Sequence, residues 1–305
     1  MPFKSIEPAA TLVLFPGALG DLLCCWPALA ALARQGPLTL AAHAAPASVL
    51  PAELGARLSI DRREFADLFA DAPLAPATRA LLGGFARVES FTGHGAAGFA
   101  ERLAAASRTR PAIHPFRAMR HGEHASAYYA RCLRVAIDCT RLPVAADAAA
   151  WSAELWRQRR LGPRVLVIHP GSGAAPKNWQ GMADAARAWR AAGGAVLALA
   201  GPAELERAID LPADLTLRDA PLPRVAAVLQ RAARYLGNDS GISHLAGLVG
   251  ARGVALFGNS DPDTWRPLGG LRVEHAPAAC PSCGPDVFCQ HRLPLRRVMA
   301  ALAAD

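Results

Sequence analysis

At 305 residues the chain has room for two domains of ordinary size, and although 52% of it is hydrophobic, no apolar run stays free of Pro, Gly and charge long enough to span a membrane. The formal net charge of +8 suits an anionic partner (a phosphorylated glycolipid, an acidic membrane surface or a nucleic acid), yet an arginine-preferring genome gives the same surplus, since Lys4 and Lys177 are the only lysines. The opening Met1–Pro8 is too short and polar for a signal peptide, and seven cysteines that include adjacent Cys24 and Cys25 do not read as a disulfide framework, so a soluble, cytoplasmic protein is expected.

Thr11 to Phe15 is a short apolar run, as in a buried strand of a parallel sheet. The glycine-rich turn Pro16-Gly17-Ala18-Leu19-Gly20-Asp21 follows, then an apolar helix from Leu22 to Arg34 that Pro27 delays or kinks, then a second strand at Leu38 to Leu40. This is a strand–loop–helix–strand unit of a doubly wound sheet, and such folds bind ligands at the carboxyl ends of their strands. The loop is not GxGxxG, which argues against a dinucleotide fingerprint. Asp21 is its only carboxylate: beside glycines at a helix start it can act as general base on a hydroxyl, or be a first-turn aspartate favoured by the helix dipole. Residues 41–150 carry less signal. His94, His114, His121 and His124 are scattered through polar sequence, and Arg110, Arg117 and Arg120 form a basic patch.

Leu142 to Pro163 reads as a linker holding a helix from Trp151 to Arg160. Arg164 to Ile168 is the next buried strand, running into His169-Pro170-Gly171-Ser172-Gly173, then Lys177 and a helix from Gly181 to Ala192. A glycine-rich turn followed by one lysine grips phosphate through backbone N–H groups and a point charge, although it is not a Walker A loop. Gly194 to Ala200 is a further strand, and Glu204 beyond it can accept ribose hydroxyls or be a first-turn glutamate. The stretch 215–230 has Leu222, Val225, Val228 and Leu229 at helical spacing.

Arg234 to Gly258 reads as strand, polar turn, helix, strand. Gly237-Asn238-Asp239-Ser240-Gly241 is the turn, Ile242 to Val249 the helix, and Val254 to Phe257 the strand, with Gly250 and Gly253 ending the helix. Free N–H groups and the dipole at this helix start favour an anion, and Gly241 lets a phosphate approach the backbone. Asp239 suits sugar hydroxyls better than phosphate, and His244 lies one turn inside. Alternatively, Asp239 or Ser240 is an N-cap and His244 a satisfied, partly buried histidine. Near the end, Cys280-Pro-Ser-Cys283 with Cys289 and His291 fits a zinc site, reduced thiols or one disulfide; the close Cys289–His291 pair and the lack of a second CxxC weigh against zinc.

Three stretches in this order resemble glycosyltransferase family 9, the ADP-heptose:lipopolysaccharide heptosyltransferases: Pro16 to Asp21 with Pro27-Ala28-Leu29; His169 to Ser172 with Lys177 and Trp179; and Asn238 to Ala246 with Ala255 to Gly258 and Asp261-Pro262. The resemblance implies an α/β GT-B fold, two Rossmann-like domains with parallel sheets facing across a cleft. The acceptor-side domain is expected over 1–150 and the nucleotide-sugar domain over 151–290, with a last helix in 291–305 free to return to the first. It implies inverting transfer of a heptose-like sugar, most simply from ADP-heptose, to a lipopolysaccharide-core or related glycan, with no metal and no cofactor. Asp21 is then the base and Lys177 the leaving-group stabiliser. Donor contacts fall on Gly20, Ser172, Lys177, Glu204, Asp239, Ser240, Gly241 and His244. The partners are a nucleotide-sugar donor and an anionic glycolipid or glycan, met in the cytoplasm or at the inner face of the inner membrane. The C-terminal cysteines look like those of family members without implying a metal. A nucleotide- or glycan-binding protein that kept the fold without catalysis is the alternative. Nucleic-acid binding rests on net charge alone and is not expected.

Overall fold

The computed structural model describes residues 10–138, 141–206, 211–276 and 279–304, so Met1–Pro8 lies outside the described residues. The chain forms two compact units, Met1–Cys139 and Thr140–Asp305. Among the described residues no helix is long and apolar enough to cross a membrane.

The first unit runs β1 (Thr11–Leu14), α1 (Leu19–Ala33), β2 (Leu38–Ala42), α2 (Ala44–Ala47), β3 (Ala56–Ser59), α3 (Arg63–Ala66), α4 (Pro76–Gly83), β4 (Arg87–Ser90), α5 (Phe99–Ala106), β5 (Ala112–Ile113) and α6 (Ala125–Leu133). Its five strands are all parallel in the order β3-β2-β1-β4-β5. Leu12, Leu14 and Val88 of the sheet pack with Phe65, Leu82, Phe99 and Leu103, while α1 packs on α6. Phe15 meets Phe91, Phe116 and Tyr129 edge-on, an arrangement that suits the ring quadrupoles.

Helix α1 starts three residues earlier than the apolar run suggests. Ala18 is extended and its carbonyl accepts the Leu22 N–H at 3.0 Å, so Leu19, Gly20 and Asp21 form the first turn. The helix continues through Pro27, which removes one helical hydrogen bond at a cost of about 3 kcal/mol. Burial offsets that cost, because every residue from Asp21 to Leu29 is buried.

The second unit runs α7 (Ala146–Gln158), β6 (Val165–His169), α8 (Met182–Ala191), β7 (Ala195–Ala200), α9 (Pro202–Glu206), β8 (Leu215–Arg218), α10 (Leu222–Arg231), β9 (Arg234–Asn238), α11 (Gly241–Leu248), β10 (Gly253–Phe257), α12 (Pro262–Trp265), β11 (Arg272–His275) and α13 (Leu295–Ala303). The sheet is again all parallel, in the order β11-β10-β9-β6-β7-β8. Leu166, Ile168, Val196, Leu236, Val254 and Leu256 pack with Met182 and Ala185 of α8 and with Val298 and Leu302 of α13. A sheet buried on both faces needs apolar side chains at successive positions, as β6 and β10 have.

Three differences from the sequence reading follow from local geometry. The linker helix begins at Ala146, because alanines 148 to 150 sustain the helix ahead of Trp151. Leu215 to Arg218 forms β8 on the edge of the sheet before the helical spacing begins. Helix α13 packs on α8, β9, β10 and β11 of its own unit, where the sequence leaves it free to return to the first.

Candidate functional site

In each unit the strand order reverses beside the first strand, so chain leaves the carboxyl ends of two neighbouring strands in opposite directions and opens a crevice there. In the first unit this point lies between β1 and β4, and in the second between β6 and β9. Gly20 and Asp21 follow β1 at the first of these points, and Ser172, Lys177, Asp239, Ser240, Gly241 and His244 follow β6 and β9 at the second, while Glu204 follows β7.

In the first unit, Gly20 and Asp21 lie in the first turn of α1, directly beyond β1. The Asp21 carboxylate is gripped by the Arg117 fork, with Nε to Oδ1 at 3.0 Å and Nη2 to Oδ2 at 2.8 Å. The two groups are unequally covered: the Asp21 side chain is 5% exposed and that of Arg117 is 53% exposed. The guanidinium also lies over the Phe116 ring, 5.2 Å from its centroid, which fixes its plane. Gly17 leaves no room for a side chain here, since a Cβ would lie 2.8 Å from that of Asp21. Below this pair the Tyr129 hydroxyl is buried without a hydrogen-bond partner, and burial with the nearby Asp21 charge pushes its pKa up. Sequence reasoning placed Arg117 only in a basic patch, because nothing in a loop 96 positions away signals a partner for Asp21.

In the second unit, His169 ends β6 and Asn238 ends β9, and these strands are paired neighbours. Lys177 reaches across to Asp239, with Nζ 2.5 Å from Oδ2. Ser240 is the N-cap of α11, its hydroxyl accepting the Ser243 N–H at 3.4 Å, and it also meets His169 Nδ1 at 3.3 Å. The capping role foreseen for Ser240 and its place beside the charged pair therefore coexist. Gly241 is the first residue of α11, and His244 is buried one turn in.

His169 Nε2 faces Glu204 Oε2 at 3.6 Å, and the same oxygen accepts the Gly201 N–H at 2.9 Å. Burial pushes the Glu204 carboxyl up, but the His169 imidazole and the backbone donors outweigh it, leaving the carboxyl below its ordinary range. Gly171 is the residue that admits this carboxylate: a Cβ there would lie 1.6 Å from Glu204 Oε1. Ser172 donates to either Asn178 Oδ1 or the Ala174 carbonyl, both at 2.7 Å, and so closes the loop that carries Lys177.

Asn238 is the residue of the polar turn to which the sequence assigns no role. It is fully buried, its Oδ1 accepts the Trp179 N–H at 3.0 Å, and its Nδ2 donates to the Pro170 carbonyl at 2.7 Å. One amide thus ties both arms of the Lys177 loop to the end of β9. The signal was present: a polar side chain closing a buried strand must find partners. Two scattered histidines also have structural partners. His124 accepts the Ser126 N–H at 3.2 Å at the start of α6, and His114 Nε2 pairs with buried Glu89 at 2.6 Å.

The family model of glycosyltransferase family 9 (heptosyltransferase) matches residues 126–278. No curated protein matches the chain. A glycosyltransferase of family 9 from Veillonella parvula is similar over 98% of this chain and 98% of its own, at 15% identity and a TM-score of 0.74. E. coli ADP-heptose lps heptosyltransferase II is similar over 96% of this chain and 97% of its own, at 17% identity and a TM-score of 0.67. E. coli heptosyltransferase WaaC with ADP is similar over 95% and 98%, at 18% identity and a TM-score of 0.66. At such identities the likeness of the structures carries the α/β GT-B fold alone, while the family match covers half of the chain. The chain belongs to glycosyltransferase family 9.

Proposed function

We propose that this enzyme moves a heptose-like sugar from a nucleotide-diphospho-sugar, with ADP-heptose the leading donor, to a hydroxyl of a lipopolysaccharide-core or related anionic glycan. The observation that carries the reading is the Lys177–Asp239 pair set against the start of α11, at the point where the second sheet reverses. A cation and a helix N-terminus together stabilise the charge that builds on a departing diphosphate, so no metal ion is needed in the chemical step. Asp239 and Glu204 take sugar and ribose hydroxyls, while Ser172 and His244 shape the donor pocket. The bound ADP and ADP-2-deoxy-2-fluoro heptose of the WaaC structures favour an adenine nucleotide.

In the reaction Asp21 takes the proton of the acceptor hydroxyl, the oxygen attacks the anomeric carbon, and the bond to the diphosphate breaks with inversion. The Arg117 fork leaves each Asp21 oxygen a second lone pair, so the carboxylate is aimed without being used up. The net charge of +8 draws the enzyme towards an anionic acceptor at the cytoplasmic face of the membrane. The test is a transfer assay with calorimetry on ADP-, GDP- and UDP-sugars. Asp21→Asn is expected to lower kcat by about 10²- to 10⁴-fold with donor affinity kept, and Lys177→Ala to weaken donor binding as well. Full turnover by Asp21→Asn would remove it as base, and failure of all three donor classes to bind would remove the donor site.

A further inference from the structure

The segment 279–294 contains a group of side chains that the sugar-transfer scheme does not use. The Sγ atoms of Cys280, Cys283 and Cys289 and a ring nitrogen of His291 all lie within 4.8 Å of one another. Cys280 Sγ is 3.9 Å from His291 Nδ1. Four ligands about 2.3 Å from one ion at the corners of a tetrahedron stand about 3.8 Å apart, so the cluster has the span of a closed Cys₃His site. The thiols of Cys280, Cys283 and Cys289 are free, and Cys280 and Cys289 are buried.

The backbone explains the convergence. Cys280-Pro-Ser-Cys283-Gly284 is a tight turn closed by the Gly284 N–H on the Cys280 carbonyl at 2.9 Å, and Gly284 takes φ +83°, which favours glycine. This turn brings the two thiols of the CxxC to one side. A second turn, in which the Arg292 and Leu293 N–H groups both reach the Cys289 carbonyl at 3.2 Å, folds His291 back beside Cys289. The short Cys289–His291 spacing that weighs against a metal in the sequence is therefore met by chain reversal. Three thiolates and a neutral imidazole around a dication leave a net charge of −1, and Arg292 lines the same cavity of about 270 Å³ as Cys280 and His291.

We propose that Cys280, Cys283, Cys289 and His291 hold a structural zinc ion. Thiolate and imidazole ligands select zinc over magnesium or calcium, and four protein ligands leave no open position for substrate. The site staples a segment that supports the donor-side loop: the Phe288 carbonyl accepts the Gln180 N–H and the Leu293 carbonyl accepts the Trp179 Nε1–H, both at 2.9 Å.

Elemental analysis of the whole chain, purified with a thiol reductant and without chelator, tests this independently of any sugar-transfer assay. Wild type and Cys132→Ser are expected to carry about one zinc per chain, and Cys283→Ser and His291→Ala about a tenth of that or less. Cobalt-substituted wild type should show the visible absorption of a tetrahedral thiolate site, and this reading stands even where the variants fail to fold. Wild type with no metal, with one equivalent of iron, or with a mass lower by two hydrogens from a disulfide among these cysteines would overturn the proposal.

Discussion

Asn238→Ala removes the amide that joins the β6 loop and the Lys177 loop to the end of β9. It leaves two buried backbone groups without partners, the Trp179 N–H and the Pro170 carbonyl. Each unsatisfied buried group costs about 1–3 kcal/mol, so the loss is about 4 kcal/mol. In a unit of this size 1 kcal/mol shifts Tm by about 2–4 °C, and the melting transition of the second unit should fall by about 8–16 °C. Asn238→Asp separates the two bonds. Its Oδ1 still accepts from Trp179, but a second carboxylate oxygen now faces the Pro170 oxygen, so burial and repulsion raise the pKa of the new acid. A group with a raised pKa in the folded state is favourable when protonated. Asn238→Asp should therefore be destabilised at pH 7.5 and recover most of the loss as pH falls to about 5, where its hydroxyl can donate to Pro170. Circular-dichroism melts across pH give both numbers. Melting of Asn238→Ala within about 2 °C of wild type, or no recovery of Asn238→Asp in acid, would show that this amide does not hold the two loops.

Two further outcomes follow from groups that are already paired. Gly171→Ala places a Cβ where the Glu204 carboxylate lies and must drive it off the Gly201 N–H and His169, at about 2–4 kcal/mol; adding Glu204→Ala should restore part of that loss, and additive effects in chemical denaturation would contradict the clash. His114 should make the first unit less stable in base. Burial lowers its pKa, but hydrogen bonds to Cys132 and Glu89 outweigh this and raise it from 6.5 to about 9, so its contribution is complete below pH 6.5 and lost as pH rises through about 9. Urea unfolding at pH 6.5 and 9 should differ by about 1–3 kcal/mol in wild type and by clearly less in His114→Gln, and equal differences would sink the assignment.

The parts legible in the sequence are those that physics writes locally. β1, β6, β7 and β10 are apolar runs ended by glycine or proline, and α11 carries its polar cap at Ser240. Residues 41–138 were hard to read because their elements are too short for periodicity: α2 and α3 have four residues each, β5 has two, and β3 is largely exposed on the sheet edge. In the site, residue types at strand ends pointed to Lys177, Glu204 and Asp239 without showing their partners. The Asp21–Arg117 fork, the double bond of Asn238 and the crowding of Glu204 on Gly171 join positions 96, 59 or 68, and 33 apart, and no local pattern encodes such distances.

Among the described residues the two sheets share no strand, and this has a consequence for synthesis on the ribosome. Every partner of β1 lies upstream of residue 114, so the first sheet can be complete while most of the second unit is still untranslated. The second sheet has no such freedom at its centre: β6 waits for β9, and the run from Leu166 to His169 must stay covered until Arg234 to Gly237 emerge. A pause once residue 140 has left the ribosome would therefore leave a finished domain, whereas one once residue 200 has emerged would leave β6 and β7 with an open apolar edge for chaperones or aggregation to find.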